Sequence, residues 1–183
     1  RCFMRKLRGF TACLIALAFG GGDAGDLLEQ ALSYIPADGD IAVMARALLA
    51  LRRLSPSDAG AAVALIREKY AAPRFPGMFH AVPNMGYVLC GLLFSGKDFA
   101  RALEITTFCG LDTDCNTGSL GVILGVLNGI SAIPRRLRAQ TRDIAVCSSV
   151  LGDENIGDIP SQARRIALAG CRVTGLTPPP KME

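Results

Sequence analysis

Two acidic residues near the middle of the chain, Asp112 and Asp114, have the spacing most suggestive of chemistry. They stand one residue apart in the segment Cys-Gly-Leu-Asp-Thr-Asp-Cys-Asn-Thr-Gly, residues 109–118. Two carboxylates at positions i and i+2 of a loop can turn toward one point, and such oxygen ligands suit hard divalent cations such as Mg²⁺. The apolar run that follows predicts a helix, whose first N–H groups would favour a nearby anionic oxygen.

The same residues also have ordinary structural interpretations, which spacing alone leaves open. Asp114 could cap the following helix, and Asp112 could be a solvated loop acid. The apolar helices predicted on both sides suggest a half-buried loop, where a carboxylate needs a cation or hydrogen-bond donors. A nucleophilic Cys115 is disfavoured, because the only histidine, His80, is not placed in sequence to activate it.

The elements that must position this loop are predicted to be helices. Apolar residues recur at helical spacing nearly throughout, and no segment alternates convincingly. Alanine, leucine and glycine dominate and tryptophan is absent, which favours closely packed helices over a β-sandwich. We therefore predict an all-α fold. The predicted helices cover residues 8–19, 24–35, 39–53, from a Ser57 cap to 70, 83–94, 99–108 after an Asp98 cap, from the Asp-Thr-Asp loop to 130, and 160–169.

One helical domain is predicted over residues 1–176, followed by a disordered tail, residues 177–183, which contains three consecutive prolines. Glycines also mark one side of the helix after the Asp-Thr-Asp loop, at positions 118, 121, 125 and 129. Each costs about 1 kcal/mol relative to alanine in a helix. We therefore expect another helix or a bound ligand to approach that side closely.

Composition narrows the class of protein further. The seven cysteines include no C-x-x-C pair, which indicates reduced, buried thiols in a cytoplasmic protein and disfavours a zinc site. A basic cluster, Arg135, Arg136, Arg138 and Arg142, is interpreted as a solvated helix face rather than a nucleic-acid contact. Residues 1–22 imitate a signal peptide, but helical periodicity before three glycines favours a helix. No apolar run is long enough to predict a membrane span.

Several motifs in the same order resemble the ADP-ribosylglycohydrolase family, over about residues 9–168. They are a helix of small residues at 9–19, Ile35-Pro36, then His80, Pro83 and Asn84, then Gly96, Asp98 and Phe99, the "Gly-x-Asp-Thr-Asp-Cys-Asn" segment at 110–116, the Gly-x-x-x-Gly helix, and Ala132-Ile133-Pro134. The resemblance implies a compact multi-helix bundle with a two-Mg²⁺ site. It also implies hydrolysis of the glycosidic bond at the anomeric carbon of ADP-ribose. The partners implied are an ADP-ribosylated protein or a small molecule that contains ADP-ribose, with neither nucleic acid nor membrane.

The resemblance also assigns residues to roles. It implies Asp112, Asp114 and Cys115 as metal ligands, with Cys115 where many members have threonine. Because a thiol is a poor partner for Mg²⁺, either a backbone or water oxygen substitutes or that metal position is weaker. His80, Asn84 and Asn116 are implied as substrate-binding residues. Orienting the loop, or capping and packing at the start of a helix, is an alternative role for His80 and Asn84.

Family members also carry an N-terminal portion with a Thr-Asp-Asp metal segment, and no Thr-Asp-Asp occurs in this chain. We therefore expect the bundle to be incomplete at the N-terminus and the chain to be an inactive fragment that lacks the N-terminal half. Two alternatives remain. One is a catalytically inactive homologue, like the lens crystallins of this family, with a structural or ligand-binding role. The other is a small helical interaction module.

Overall fold

The computed structural model describes residues 2–150 and 152–180, and it describes the side chains within those ranges except for residues 2–8, 153 and 154. The chain divides into two compact units, Arg1–Ile133 and Pro134–Glu183. The single domain predicted over residues 1–176, with its disordered tail, remains a prediction.

Seven helices build the first unit over its described residues, 2–133. They are α1 (Cys2–Ala18), α2 (Ala24–Leu32), α3 (Asp40–Leu54), α4 (Ala59–Lys69), α5 (Ala81–Phe94), α6 (Phe99–Cys109) and α7 (Thr113–Asn128), followed by a 3₁₀ turn, Ile130–Ala132. The all-α prediction is confirmed. Most boundaries fall within a few residues of those predicted, because caps and prolines mark helix ends in the sequence.

The second unit, as far as the structure describes it, contains two helices with a two-stranded hairpin between them in sequence. Helix α8 (Arg135–Thr141) precedes strand β1 (Ile144–Val146), a 3₁₀ turn (Gly152–Asn155), strand β2 (Ile156–Asp158) and helix α9 (Ile159–Thr174). The strands are antiparallel, with Ala145 opposite Gly157. This hairpin was not predicted from the sequence, because strands of three residues are too short to show alternation. Helix α9 also runs five residues past the predicted end at Ala169.

Side-chain caps fix where several helices begin. The Asp98 carboxylate accepts from the Arg101 amide at 3.0 Å, as predicted for the start of α6. Helix α4 is capped by Asp58, which accepts from the Ala61 amide at 2.8 Å. The prediction of Ser57 as its cap was therefore wrong by one residue, since both residue types suit the position.

Helix α5 is the centre of the first unit. All of its residues are buried, and it packs against α3, α4, α6 and α7. A helix that is apolar on every side belongs in a core. A polar side chain in its first turn, such as that of Asn84, is therefore largely shielded from solvent.

Close helix approach occurs at α5 rather than at the glycine side of α7. A β-carbon at Gly91 would meet Thr106 Oγ1, Leu120 Cδ2 and, at 2.8 Å, the Ala102 carbonyl oxygen. By contrast, one at position 118 would meet nothing within 4 Å, and those at 121 and 125 would meet only ordinary contacts at 3.9 Å. The prediction that another helix approaches α7 closely along its glycines was wrong, while approach by a ligand remains a prediction.

Helix α1 buries Phe10, Leu14 and Ala18 at successive helical turns, so the apolar stretch near the N-terminus forms a core helix as expected. No helix within the described residues is long and apolar enough to cross a membrane. The expectation of buried thiols holds for Cys90 and Cys109, but Cys115 and Cys147 are exposed. Three arginines of the basic cluster, Arg135, Arg136 and Arg142, are exposed to solvent.

Candidate metal centre

The Asp-Thr-Asp loop is a sharp turn between α6 and α7. Its first two residues have left-handed backbone, with φ of 86° at Gly110 and 60° at Leu111. Glycine adopts this conformation freely, whereas a leucine there costs about 1–2 kcal/mol. Strained residues of this kind cluster at functional sites, where surrounding contacts hold them in place. The turn presents the next residue, Asp112, at the start of α7.

Asp112 occupies the N-cap position of α7, yet its carboxylate makes no capping hydrogen bond to the helix. Asp114 lies inside the first turn, so the interpretation of Asp114 as the helix cap was wrong. A carboxylate at an N-cap ordinarily accepts from the second or third amide of the helix. The Asp112 carboxylate instead accepts a hydrogen bond from the Cys115 thiol, and one ligand atom from each of Asp112, Asp114 and Cys115 lies within 4.8 Å of the others.

The charges around this cluster act in two directions. Asp112 is half-buried and Asp114 is exposed, and their carboxylates attract a cation, whereas the positive end of α7, where both residues lie, partly opposes one. A hydrogen bond to the Asp112 carboxylate raises the pKa of the Cys115 thiol. A thiol kept protonated at neutral pH is a poor nucleophile, which adds to the case against covalent catalysis by Cys115.

The chemistry of the donor set fits a hard cation in part. Carboxylates at Asp112 and Asp114 are the ligands that Mg²⁺ prefers. The Cys115 sulfur is soft and suits thiophilic metals better. Among the described residues, these three form the grouping of acidic, cysteine or histidine side chains that could hold a metal ion.

A buried asparagine joins this loop to the start of α5. Asn84 is 8% exposed, and its Oδ1 accepts from the Asp112 amide at 3.2 Å and from Asn116 Nδ2 at 2.7 Å. Its Nδ2 donates to the Met78 carbonyl at 2.8 Å and to the His80 carbonyl at 2.9 Å. Asn116 is 4% exposed. The structure thus brings Asn84, Asn116 and the Asp-Thr-Asp loop together.

His80 lies at the N-cap of α5, where its Nδ1 accepts from the Val82 amide at 3.3 Å. Its ring packs against Phe75, with centroids 5.0 Å apart. The capping alternative for His80 is therefore confirmed, and substrate contact remains a prediction.

Two groups that support the loop could not be predicted from the sequence. Arg67 of α4 donates to the Cys109 carbonyl at 3.3 Å, across 42 residues of sequence. The Met78 carbonyl is a backbone group, so no residue type identifies it. The positive φ at Leu111 was equally hidden, since leucine is not a residue that marks left-handed backbone.

Comparisons with known proteins bear on this site. A family model described as ADP-ribosylglycohydrolase matches residues 7–172, a range that contains the whole loop and both buried asparagines. The searches of curated proteins and of solved structures found no match.

Proposed function

The chain belongs to the ADP-ribosylglycohydrolase family, and on that premise we propose that its natural protein hydrolyses the glycosidic bond at the anomeric carbon of ADP-ribose with the help of Mg²⁺. The observation that carries this proposal is the cluster of Asp112, Asp114 and Cys115, with ligand atoms within 4.8 Å of one another. The substrate would be an ADP-ribosylated protein or a small molecule that contains ADP-ribose.

Asp112 and Asp114 would hold the cation in this proposal. A bound Mg²⁺ would supply Lewis-acid polarisation of ribose oxygens and would orient water near the anomeric carbon. The protein's own contribution is to fix the two carboxylates at the start of α7 and to keep the loop rigid. The positive end of α7 would also favour negative charge that develops on the substrate beside it.

Three donor atoms, one of them sulfur, make a poor cage for Mg²⁺, which keeps its water ligands unless the geometry is close to ideal octahedral. We therefore propose that residues 1–183 alone bind Mg²⁺ weakly and do not turn over substrate. Isothermal titration of this chain would check the point, because a micromolar dissociation constant would contradict it.

The test of function uses the natural protein that contains this chain. Wild type with Mg²⁺ is expected to release free ADP-ribose from an ADP-ribosylated protein, measured by mass spectrometry. Asp112→Asn and Asp114→Asn are expected to abolish release while circular dichroism shows the same helix content. Asp98→Asn is the control, because Asp98 caps α6 and lies outside the cluster. This variant should release ADP-ribose at the wild-type rate. Wild-type rates in either loop variant would exclude the assigned role.

A second candidate is a catalytically inactive homologue with a structural or ligand-binding role. The observation that favours it is the Cys115 sulfur, which weakens the donor set for Mg²⁺. Binding of free ADP-ribose by the natural protein, with no release from any ADP-ribosylated substrate in Mg²⁺ or Mn²⁺, would support this candidate over the enzyme.

A further inference from the structure

We propose that Asn84 is a positioning residue that fixes the backbone of the metal loop, rather than a group that contacts substrate. The inference rests on the proposed function only in so far as Asp112 is a metal ligand. Its basis is the hydrogen bonding of one buried carboxamide, which joins two segments that are far apart in sequence.

The orientation of this carboxamide is fixed by its neighbours. Met78 and His80 present carbonyl oxygens, which can only accept, so the NH₂ group must face them. The Asp112 main chain presents an N–H, which can only donate, so Oδ1 must face that side. Rotation of the amide by 180° would set oxygen against two carbonyls and nitrogen against an N–H.

The carboxamide has no capacity left for a ligand. Its two N–H groups are used by the two carbonyls, and its oxygen accepts twice, from the Asp112 amide and from Asn116 Nδ2. Asn84 is also 8% exposed within the fully buried α5. A substrate hydroxyl could bind there only by displacing a hydrogen bond of the protein, which leaves a buried group unsatisfied.

The consequence is local and concerns the peptide between Leu111 and Asp112, just before α7. Leu111 is held in left-handed backbone, which is unfavourable for leucine. The bond from the Asp112 amide to Asn84 Oδ1 restrains the peptide that joins Leu111 to Asp112. Asn116 Nδ2 donates to the same oxygen, so both ends of the segment Asp112–Asn116 are hydrogen-bonded to one buried atom. Asn84 therefore fixes the position of the Asp112 backbone, from which the carboxylate extends.

Hydrogen exchange in the chain itself tests this without any metal. Asn84→Ala is expected to raise the exchange rate of the Asp112 amide at least tenfold, measured residue by residue by NMR. The control is Thr106→Val, which removes another fully buried polar group whose hydroxyl donates to the Tyr87 carbonyl at 3.4 Å. Equal Asp112 exchange in the two variants would overturn the inference.

Asn84→Asp keeps the test valid where the alanine variant does not fold. It retains an oxygen that can accept from the Asp112 amide but loses both donors to Met78 and His80. The amides of residues 78–80 should then exchange faster while Asp112 stays protected. Equal loosening of both segments would contradict the separate roles assigned to the oxygen and the nitrogen.

The affinity for Mg²⁺ tests whether Asn84 positions the proposed metal ligand Asp112. In the natural protein, Asn84→Ala should weaken Mg²⁺ binding about 10–100-fold, as loss of a supporting residue around a metal site typically does. Turnover should fall through kcat at limiting Mg²⁺, with KM for substrate nearly unchanged, because no substrate contact is removed. A raised KM with unchanged Mg²⁺ affinity would overturn the inference in favour of substrate binding. Asp112→Asn binding Mg²⁺ as wild type does would overturn the proposed function, whereas the exchange result would still stand.

Discussion

At the scale of single residues, Cys115 is the member of the candidate cluster that would offer a sulfur ligand instead of an oxygen. Its thiol is exposed, lies with the Asp112 and Asp114 carboxylates, and has its pKa raised by the hydrogen bond to Asp112. Sulfur beside two carboxylates would suit a softer cation better than Mg²⁺. The identity of this one side chain should therefore tune which metal the site prefers.

Replacing that sulfur by oxygen should change the preference in a defined direction. Cys115→Thr is expected to tighten Mg²⁺ binding by about tenfold, at the lower end of the effects seen when the surroundings of a metal change. Binding of Cd²⁺ should weaken in the same variant. Isothermal titration with each ion measures both effects.

Cys147→Thr is the matched control, because Cys147 is also an exposed free thiol but lies outside the cluster. It should leave both affinities unchanged. Identical Mg²⁺ and Cd²⁺ affinities in wild type and Cys115→Thr would show that the sulfur takes no part in the site.

A second residue-scale prediction concerns pH. Asp23 caps α2, and its carboxylate is held by Arg52 through two bonds of 2.7 and 3.0 Å. The hydrogen bond from Arg52 lowers the pKa of Asp23 to about 2. Because the folded-state pKa lies below the unfolded value of 3.8, the stabilisation is complete above pH 4 and is lost as the pH falls toward 2.

Arg52→Ala should therefore cost about 1 kcal/mol of unfolding free energy at pH 6, a value discounted because the Asp23 side chain is 37% exposed. The difference from wild type should shrink between pH 4 and pH 2, as followed by urea denaturation. Arg53→Ala is the control, since its pair with Glu29 is mostly exposed. A difference that stays constant down to pH 2 would contradict the ion-pair account.

At the scale of elements, α5 determines how the helices of the first unit pack. Gly91 lies where α5 meets α6 and α7, and the Ala102 carbonyl leaves no room for a β-carbon there. The opposite holds at Gly118 of α7, where the space is open. These two glycines therefore predict changes of opposite sign.

Gly91→Ala should destabilise the protein by about 1–3 kcal/mol, as overpacking of a core does. Gly118→Ala should instead stabilise it by about 0.5–1 kcal/mol, because alanine is the better helix former. Urea denaturation of the two variants measures both shifts. Stabilisation by Gly91→Ala, or destabilisation by Gly118→Ala, would contradict this account of helix packing.

Helix ends were more predictable from the sequence than the contacts between helices. Periodicity and capping residues predicted the helices of the first unit, and the Asp98 cap was located to the residue. The close approach of another helix to the glycines of α7 was mispredicted, because a sequence does not say which side of a helix meets a neighbour. The spacing of Asp112 and Asp114 made them candidate ligands, while Cys115 was implied only by the family resemblance. The link from Asn84 to Asp112 could not, since it depends on a tertiary contact across 28 residues.

At the scale of the whole molecule, the two units differ in their cores. Every buried residue that the structure describes lies in the first unit, and none of the described residues after 133 is buried. A segment of about 50 residues without a buried core removes too little apolar surface from water to offset the entropy lost when its chain is ordered. The first unit should therefore carry the stability of the protein.

A protein consisting of residues 1–133 should unfold cooperatively in urea and keep its helical circular dichroism. The isolated segment 134–183 should show mostly disordered chain under the same conditions. Both are measured by far-ultraviolet circular dichroism. Cooperative unfolding of the isolated segment, or loss of it in residues 1–133, would contradict this division of stability.

The most direct test of the central claim is crystallography of the natural protein with Mn²⁺ in place of Mg²⁺. The account predicts an anomalous difference peak bound by the carboxylates of Asp112 and Asp114, and loss of that peak in Asp112→Asn. Wild-type crystals in saturating Mn²⁺ with both carboxylates facing bulk solvent and no peak beside them would contradict it.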